Sequence, residues 1–190
     1  MRKVIFSAIE KQHLLISWLA ISLAFAIATA GIKFNIGFLS ALAISSVTVG
    51  LGFLLHEIAH KFVAQHFGCF AEFRANMQML VFAIALSFTG FIFAAPGAVL
   101  ISGHINNRKN GLISAAGPLT NIVLALFFLN FSLFSNSMLN SIGNYGTTIN
   151  AWLALFNMIP IGNLDGAKVL RWDKRYYALI VIAALIILFL

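Results

Sequence analysis

Residues 37–60 read GFLSALAISSVTVGLGFLLHEIAH, an uncharged run from Gly37 to Leu55 that leads directly into His56-Glu57-Ile58-Ala59-His60. A helix of about 20 apolar residues crosses a bilayer, so the run is long enough to span, and the histidines fall at its C-terminal end. Ionisable side chains in such a segment cost on the order of 3 kcal/mol each unless paired or metal-bound, and they mark function. On a helix, residues four apart differ by about 40° in direction and about 6 Å in height. His56 and His60 therefore share a face and can reach one metal ion. Glu57 lies beside that face, where it can hold a water and act as general base.

Composition places this segment in its solvent. Of the 190 residues, 61% are hydrophobic and 9% charged, against about 25% charged in soluble domains. The bulk of the chain is expected to face lipid, as a single polytopic membrane domain over residues 1–190 with a catalytic core at about 37–171. The basic start, Arg2 and Lys3, leads into a long apolar run with no small-residue cleavage site, which reads as a retained span rather than a removable signal. The net charge of +7 sits in short clusters beside apolar segments, as in cytoplasmic loops of membrane proteins, not on the broad basic face that a nucleic acid requires. Cys69 is the only cysteine, which excludes an internal disulfide.

Five segments qualify as spans: Leu14–Ile32, Gly37–Leu55, Leu112–Phe134, Thr147–Leu164 and the shorter Tyr176–Leu190. A sixth uncharged stretch, Met77–Asn107, is interrupted at Ser87, Thr89 and Gly90 and again at Ala94-Ala95-Pro96-Gly97. The positive-inside bias places Arg2, Lys3 and Lys11 in the cytoplasm, Lys33 outside, and Lys61 and Arg74 inside. If Met77–Ile101 does not cross, then Arg108, Lys109, Lys168, Arg171, Lys174 and Arg175 are also cytoplasmic. A non-crossing segment must satisfy its backbone within protein, and the pieces around Ala71–Met79 and Gly97–Gly103 look strand-like. The expected fold is a membrane all-α bundle of five to six transmembrane helices with a re-entrant β-hairpin or sheet after the HExxH helix. The Asn- and Ser-rich stretch Asn130–Asn144 reads as a span end and external loop.

A catalytic zinc takes a third protein ligand and keeps an open position. The acidic residues are few, and Asp165 stands out: it follows Asn157 through Leu164 and precedes Gly166, at the end of the fourth span, where Pro160 breaks the helix. Asp165 reaches the depth of His56 and His60 only if an even number of crossings intervenes, which again requires a re-entrant Met77–Ile101. His13, His66 and His104 read as interfacial. Asn121, in Gly117-Pro118-Leu119-Thr120-Asn121, either donates to a substrate oxyanion or binds a neighbouring helix; spacing alone leaves both open.

These three motifs, in this order over about Gly37–Gly166, resemble the site-2 protease family of intramembrane metalloproteases. The resemblance implies one zinc per chain, held by His56, His60 and Asp165 in a cavity near the cytoplasmic face. Glu57 would be the general base, and Asn121 or Asn157 a donor to the oxyanion. The implied substrates are transmembrane helices of other proteins, unwound and paired with the re-entrant strand. The implied setting is the cell membrane of an archaeon or bacterium, with a cytoplasmic N-terminus. Many members of that family carry a PDZ or nucleotide-sensing domain, and this sequence contains neither, so substrate selection and oligomeric state are not legible. A metal transporter would distribute its ligands along a path instead of clustering them beside a base. A catalytically silent membrane chaperone would typically lack Glu57 or one ligand.

Overall fold

Ser7 accepts a hydrogen bond from the Glu10 amide and so starts α1, Ala8–Ala30, well before the apolar run at Leu14. A computed structural model describes residues 4–33, 35–92 and 96–190. Arg2 and Lys3, and Ala94 and Ala95 of the expected break, lie outside them. The elements that follow α1 are α2 (Ile36–Ser45), a π-turn (Ser46–Gly50), α3 (Leu51–His66), β1 (Phe70–Ala75), α4 (Met77–Ser87), β2 (Gly97–Ser102), α5 (Asn107–Ser132), α6 (Ser137–Asn157), α7 (Asp165–Trp172) and α8 (Lys174–Leu188). The chain is thus mostly helical, with one two-stranded antiparallel sheet of β1 and β2.

Among the described residues, three helices are long and apolar enough to cross a membrane: Ala8–Ala30, the continuous run Ile36–His66, and Asn107–Ser132. At 1.5 Å per residue they measure about 34, 46 and 39 Å, against about 30 Å of hydrocarbon. The expectation was five or six such helices. The shortfall has two causes. α8 has 15 residues, about 22 Å, and α6 carries Asn140, Asn144, Thr147 and Asn150 along its length. α6 also begins earlier than expected, at Ser137 instead of Thr147, because Asn136 accepts from the Met138 and Leu139 amides. The stretch Asn130–Asn144 is therefore largely helical, with only Leu133–Asn136 between the two helices.

The chain divides into two compact units. In the first (residues 1–4, 55–71 and 101–190), Ala115, Ile122 and Ala125 of α5 pack with Ala151 and Ala154 of α6, Met158, Val169 of α7, and Ile180, Ala184 and Ile187 of α8. Small residues where α5 meets α6 bring the backbones close, as suits helices that associate by dispersion rather than by expelling water. In the second (5–54 and 72–100), Ala26 and Ile27 of α1 pack on Phe38 of α2, with Ile84 of α4 against them. The Trp18 indole N–H donates to Ser46 O at 3.0 Å, satisfying a carbonyl at the π-turn.

The segment after β1 contains the expected extended backbone, with one difference: Met77–Ser87 is helical, capped by Asn76 through the Met79 amide. Met77–Met79 therefore begins a helix rather than ending a strand. β1 and β2 adjoin, and the Asn76 amide donates to Pro96 O at 2.8 Å, so the excursion leaves and returns at one place.

Candidate metal centre

α3 sets His56 and His60 one turn apart with their rings nearly perpendicular, centroids 4.6 Å apart, and Nε2 atoms 3.0 Å apart. Asp165, the first residue of α7, places Oδ2 3.3 Å from His56 Nε2 and 3.1 Å from His60 Nε2. All three side chains are buried, and among the described residues they form a group whose ligand atoms could hold a metal ion.

The chain reaches this geometry through three local devices. Pro160 offers no N–H, so α6 stops at Asn157 and the backbone turns through Ile159–Leu164 before α7 begins. Gly166 lets α7 return against the end of α6, since a Cβ there would lie 2.1 Å from Met158 O. Gly117 lets α5 approach the imidazoles, since a Cβ there would lie 2.5 Å from both Nε2 atoms. The cradle opposite the three donors is thus kept clear by a missing side chain.

Proton bookkeeping shows what the cradle suits. His60 Nδ1 lies 2.8 Å from the Ile113 carbonyl, which only accepts, so Nδ1 carries the hydrogen and a neutral ring turns a lone pair at Nε2 toward the centre. His56 Nδ1 lies 2.6 Å from Asn121 Oδ1, which likewise accepts. With both rings neutral, two imidazole lone pairs and a carboxylate oxygen converge within 3.0–3.3 Å, an arrangement that is repulsive unless a cation, a proton or a metal ion, lies among them. Zinc–nitrogen bonds of about 2.0–2.1 Å give tetrahedral edges of about 3.3 Å, so the triangle matches one face of a tetrahedral zinc. Lys168 Nζ lies 3.8 Å from Asp165 Oδ1 and attracts the oxygen not turned to the centre.

Glu57 is buried on the same turn of α3. Asn121 lies behind His56, its Nδ2 donating to Asn150 Oδ1 at 3.0 Å, so its amide joins a neighbouring helix. Asn157 is half-buried at the end of α6, outside the donor group, and its Nδ2 donates to Leu153 O at 2.9 Å. His66 touches the Phe67 ring, His104 is exposed, and His13 Nδ1 accepts from the Ala75 amide at 3.2 Å. Asn150 drew no attention in the sequence, and Lys61 served there only to orient the chain; Asn150 and Glu10 are fully buried and Lys61 nearly so. A polar residue in the middle of an apolar helix was the available signal for Asn150.

The chain is 41% identical to "Putative zinc metalloprotease MJ0611" of Methanocaldococcus jannaschii, over 92% of this chain and 90% of that one. It belongs to that zinc metalloprotease family. It is also 28% identical to "Putative zinc metalloprotease YwhC" of Bacillus subtilis, over 66% of each chain. Against "Zinc metalloprotease MJ0392" of M. jannaschii it is 26% identical over 70% of this chain, an alignment that spans 36% of that protein. No protein-family model and no solved structure matches it significantly. Family membership and the donor set agree on the cofactor: this metalloprotease uses zinc.

Proposed function

We propose that this zinc metalloprotease is of the site-2 type and cuts transmembrane helices of other membrane proteins from within the bilayer. The observation that carries the reading is the placement of HEIAH on Ile36–His66, a 31-residue apolar helix, where its two imidazoles meet Asp165. A soluble metalloprotease would have no reason to build its donor helix from lipid-compatible sequence.

In this reading His56, His60 and Asp165 hold one zinc. Zinc in such a site supplies a Lewis acid and lowers the pKa of water to about 7. Glu57 takes the proton from the attacking water and passes it to the leaving amine. Asn157, with one amide hydrogen on Leu153 O, has a second to offer the oxyanion; Asn121 acts behind His56. The substrate must unwind first, because a helix hides its carbonyls in hydrogen bonds, and an extended segment can then add to a sheet edge. The outer edge of β1 is occupied: Ala71 O accepts from Lys61 Nζ, Phe73 N–H donates to Glu10 Oε1 and Ala75 N–H to His13 Nδ1. Strand addition is therefore assigned to β2.

The proposed topology is multi-pass, with α6 and α8 as spans beside the three long helices and the N-terminus and metal centre on the cytoplasmic side. Its support is that α4, at 11 residues, measures about 16 Å, half the hydrocarbon thickness, and that Asn76 and Pro96 meet at the ends of the excursion.

The test is cleavage of a transmembrane-helix substrate by the purified protein in vesicles. Cleavage should stop on zinc chelation and return with zinc. Glu57→Gln should lower the rate by at least about 100-fold, the lower end of what general-base catalysis contributes, while metal content stays at one zinc per chain. A Glu57→Gln protein that cleaves within a few-fold of the native rate removes the general base from the mechanism.

A further inference from the structure

Three buried groups run from the metal-facing histidine back into α6, and their polarity is set at the far end. The Gly146 carbonyl can only accept. Asn150 Nδ2 donates to it at 2.9 Å, which turns Asn150 Oδ1 toward α5. Asn121 Nδ2 donates to that oxygen at 3.0 Å, which turns Asn121 Oδ1 to His56 Nδ1 at 2.6 Å. Both asparagines are fully buried, so solvent cannot substitute for either partner. Each link leaves the next only one orientation.

We infer that Asn150 is a positioning residue for the metal centre: it locks the Asn121 amide so that His56 keeps its hydrogen on Nδ1 and presents Nε2 to zinc. The inference rests on the metal-centre reading above and adds to it the determinant of one ligand's tautomer. An amide is nearly symmetric in shape, so Asn121 alone could turn over and offer Nδ2 to His56. His56 Nδ1 would then have to accept, its hydrogen would move to Nε2, and the ring could no longer bind metal. Asn150 forbids that turn, because two Oδ1 atoms would face each other and its own amide is held on a backbone carbonyl that cannot rotate. His60 needs no such relay, since Ile113 O fixes it directly. Outer partners of this kind set ligand orientation and tautomer, and their loss typically costs about 10–100-fold in metal affinity.

The experiment measures zinc affinity of the full chain in detergent by chelator competition. Asn150→Leu, close in volume but with no polar atoms, should weaken zinc binding by about 10–100-fold. Asn121→Asp supplies the decisive background: a carboxylate accepts from His56 through either oxygen and needs no orientation. In that background Asn150→Leu should cost about twofold or less, or raise affinity, because it also removes the Asn150 oxygen that would face the new carboxylate. An equal loss in both backgrounds would mean Asn150 acts by packing alone, and unchanged affinity in the single variant would mean it does not act at all; either overturns the inference. If Asn150→Leu fails to fold, nitrogen NMR of the zinc-loaded native protein decides. A protonated Nδ1 and metal-bound Nε2 at His56 are expected, and the reverse assignment overturns the proposal. Asp165→Ala separates the two levels. Native zinc affinity in that variant sinks the metal-centre reading, whereas weakened Asp165→Ala with unaffected Asn150→Leu sinks only the relay.

Discussion

Gly117 determines how near α5 comes to the metal-facing nitrogens, and it does so by what it lacks. Its absent Cβ would stand 2.5 Å from His56 Nε2 and from His60 Nε2, inside any van der Waals contact and on the side where the donors point. Gly117→Ala should therefore push the rings off their shared focus. Overpacking costs about 1–3 kcal/mol, and here the strain falls on the ligands themselves. Zinc affinity should fall by about 10-fold or more while helix content is kept, measured by metal analysis and circular dichroism of one preparation. Native affinity in the alanine variant would show that α5 can retreat and that the glycine does not shape the centre.

At the scale of elements, β1 shows how a two-stranded sheet survives beside helices. A pair of strands leaves rows of unpaired amides and carbonyls at its edges. On the outer edge of β1, Glu10 and His13, one turn apart on α1, take the Phe73 and Ala75 amides, the first at 2.9 Å. Glu10→Leu removes the acceptor from a buried amide, which costs about 1–3 kcal/mol. The expected result is a loss of a few degrees or more in melting temperature and faster hydrogen exchange at Phe73. Unchanged exchange at that amide would mean the carboxylate does not hold the strand. The break between α6 and α7 works by the same local logic, since Pro160 ends one helix and Gly166 allows the next to begin with Asp165 against it.

For the whole molecule the open quantity is topology. Met77–Ile101 should enter and leave the membrane on the cytoplasmic side. Asn76 and Asn107 flank it, and both are exposed. Cysteines placed singly at these positions, with the buried Cys69 changed to serine, can be labelled from either side of intact vesicles. Both should label from the cytoplasmic face only. Labelling from opposite faces would mean the segment crosses, and Asp165 could not then share a side with His56 and His60 by the count of spans.

The chemistry of the centre was legible in the sequence because it is local or compositional. Helical periodicity alone puts His56 and His60 on one face, an apolar chain makes any ionisable residue conspicuous, and Asp165 was conspicuous among five acidic residues. Strand-like backbone was expected around Ala71–Met79 and Gly97–Gly103, the second announced by Pro96-Gly97 and the β-branched Val99 and Ile101, and the strands run Phe70–Ala75 and Gly97–Ser102. Helix ends were less legible: α6 starts where Asn136 caps it, a choice settled by one side-chain hydrogen bond rather than by hydropathy. What only the tertiary structure decided is how side chains distant in sequence divide their hydrogen bonds. The oxygen of Asn121 lies on His56 and its nitrogen on Asn150, partners that spacing along the chain could not name. Glu10 and Lys61 are charged residues buried against backbone of β1. Periodicity reports which face a residue occupies. The partner across that face comes from another element, and no local pattern encodes its identity.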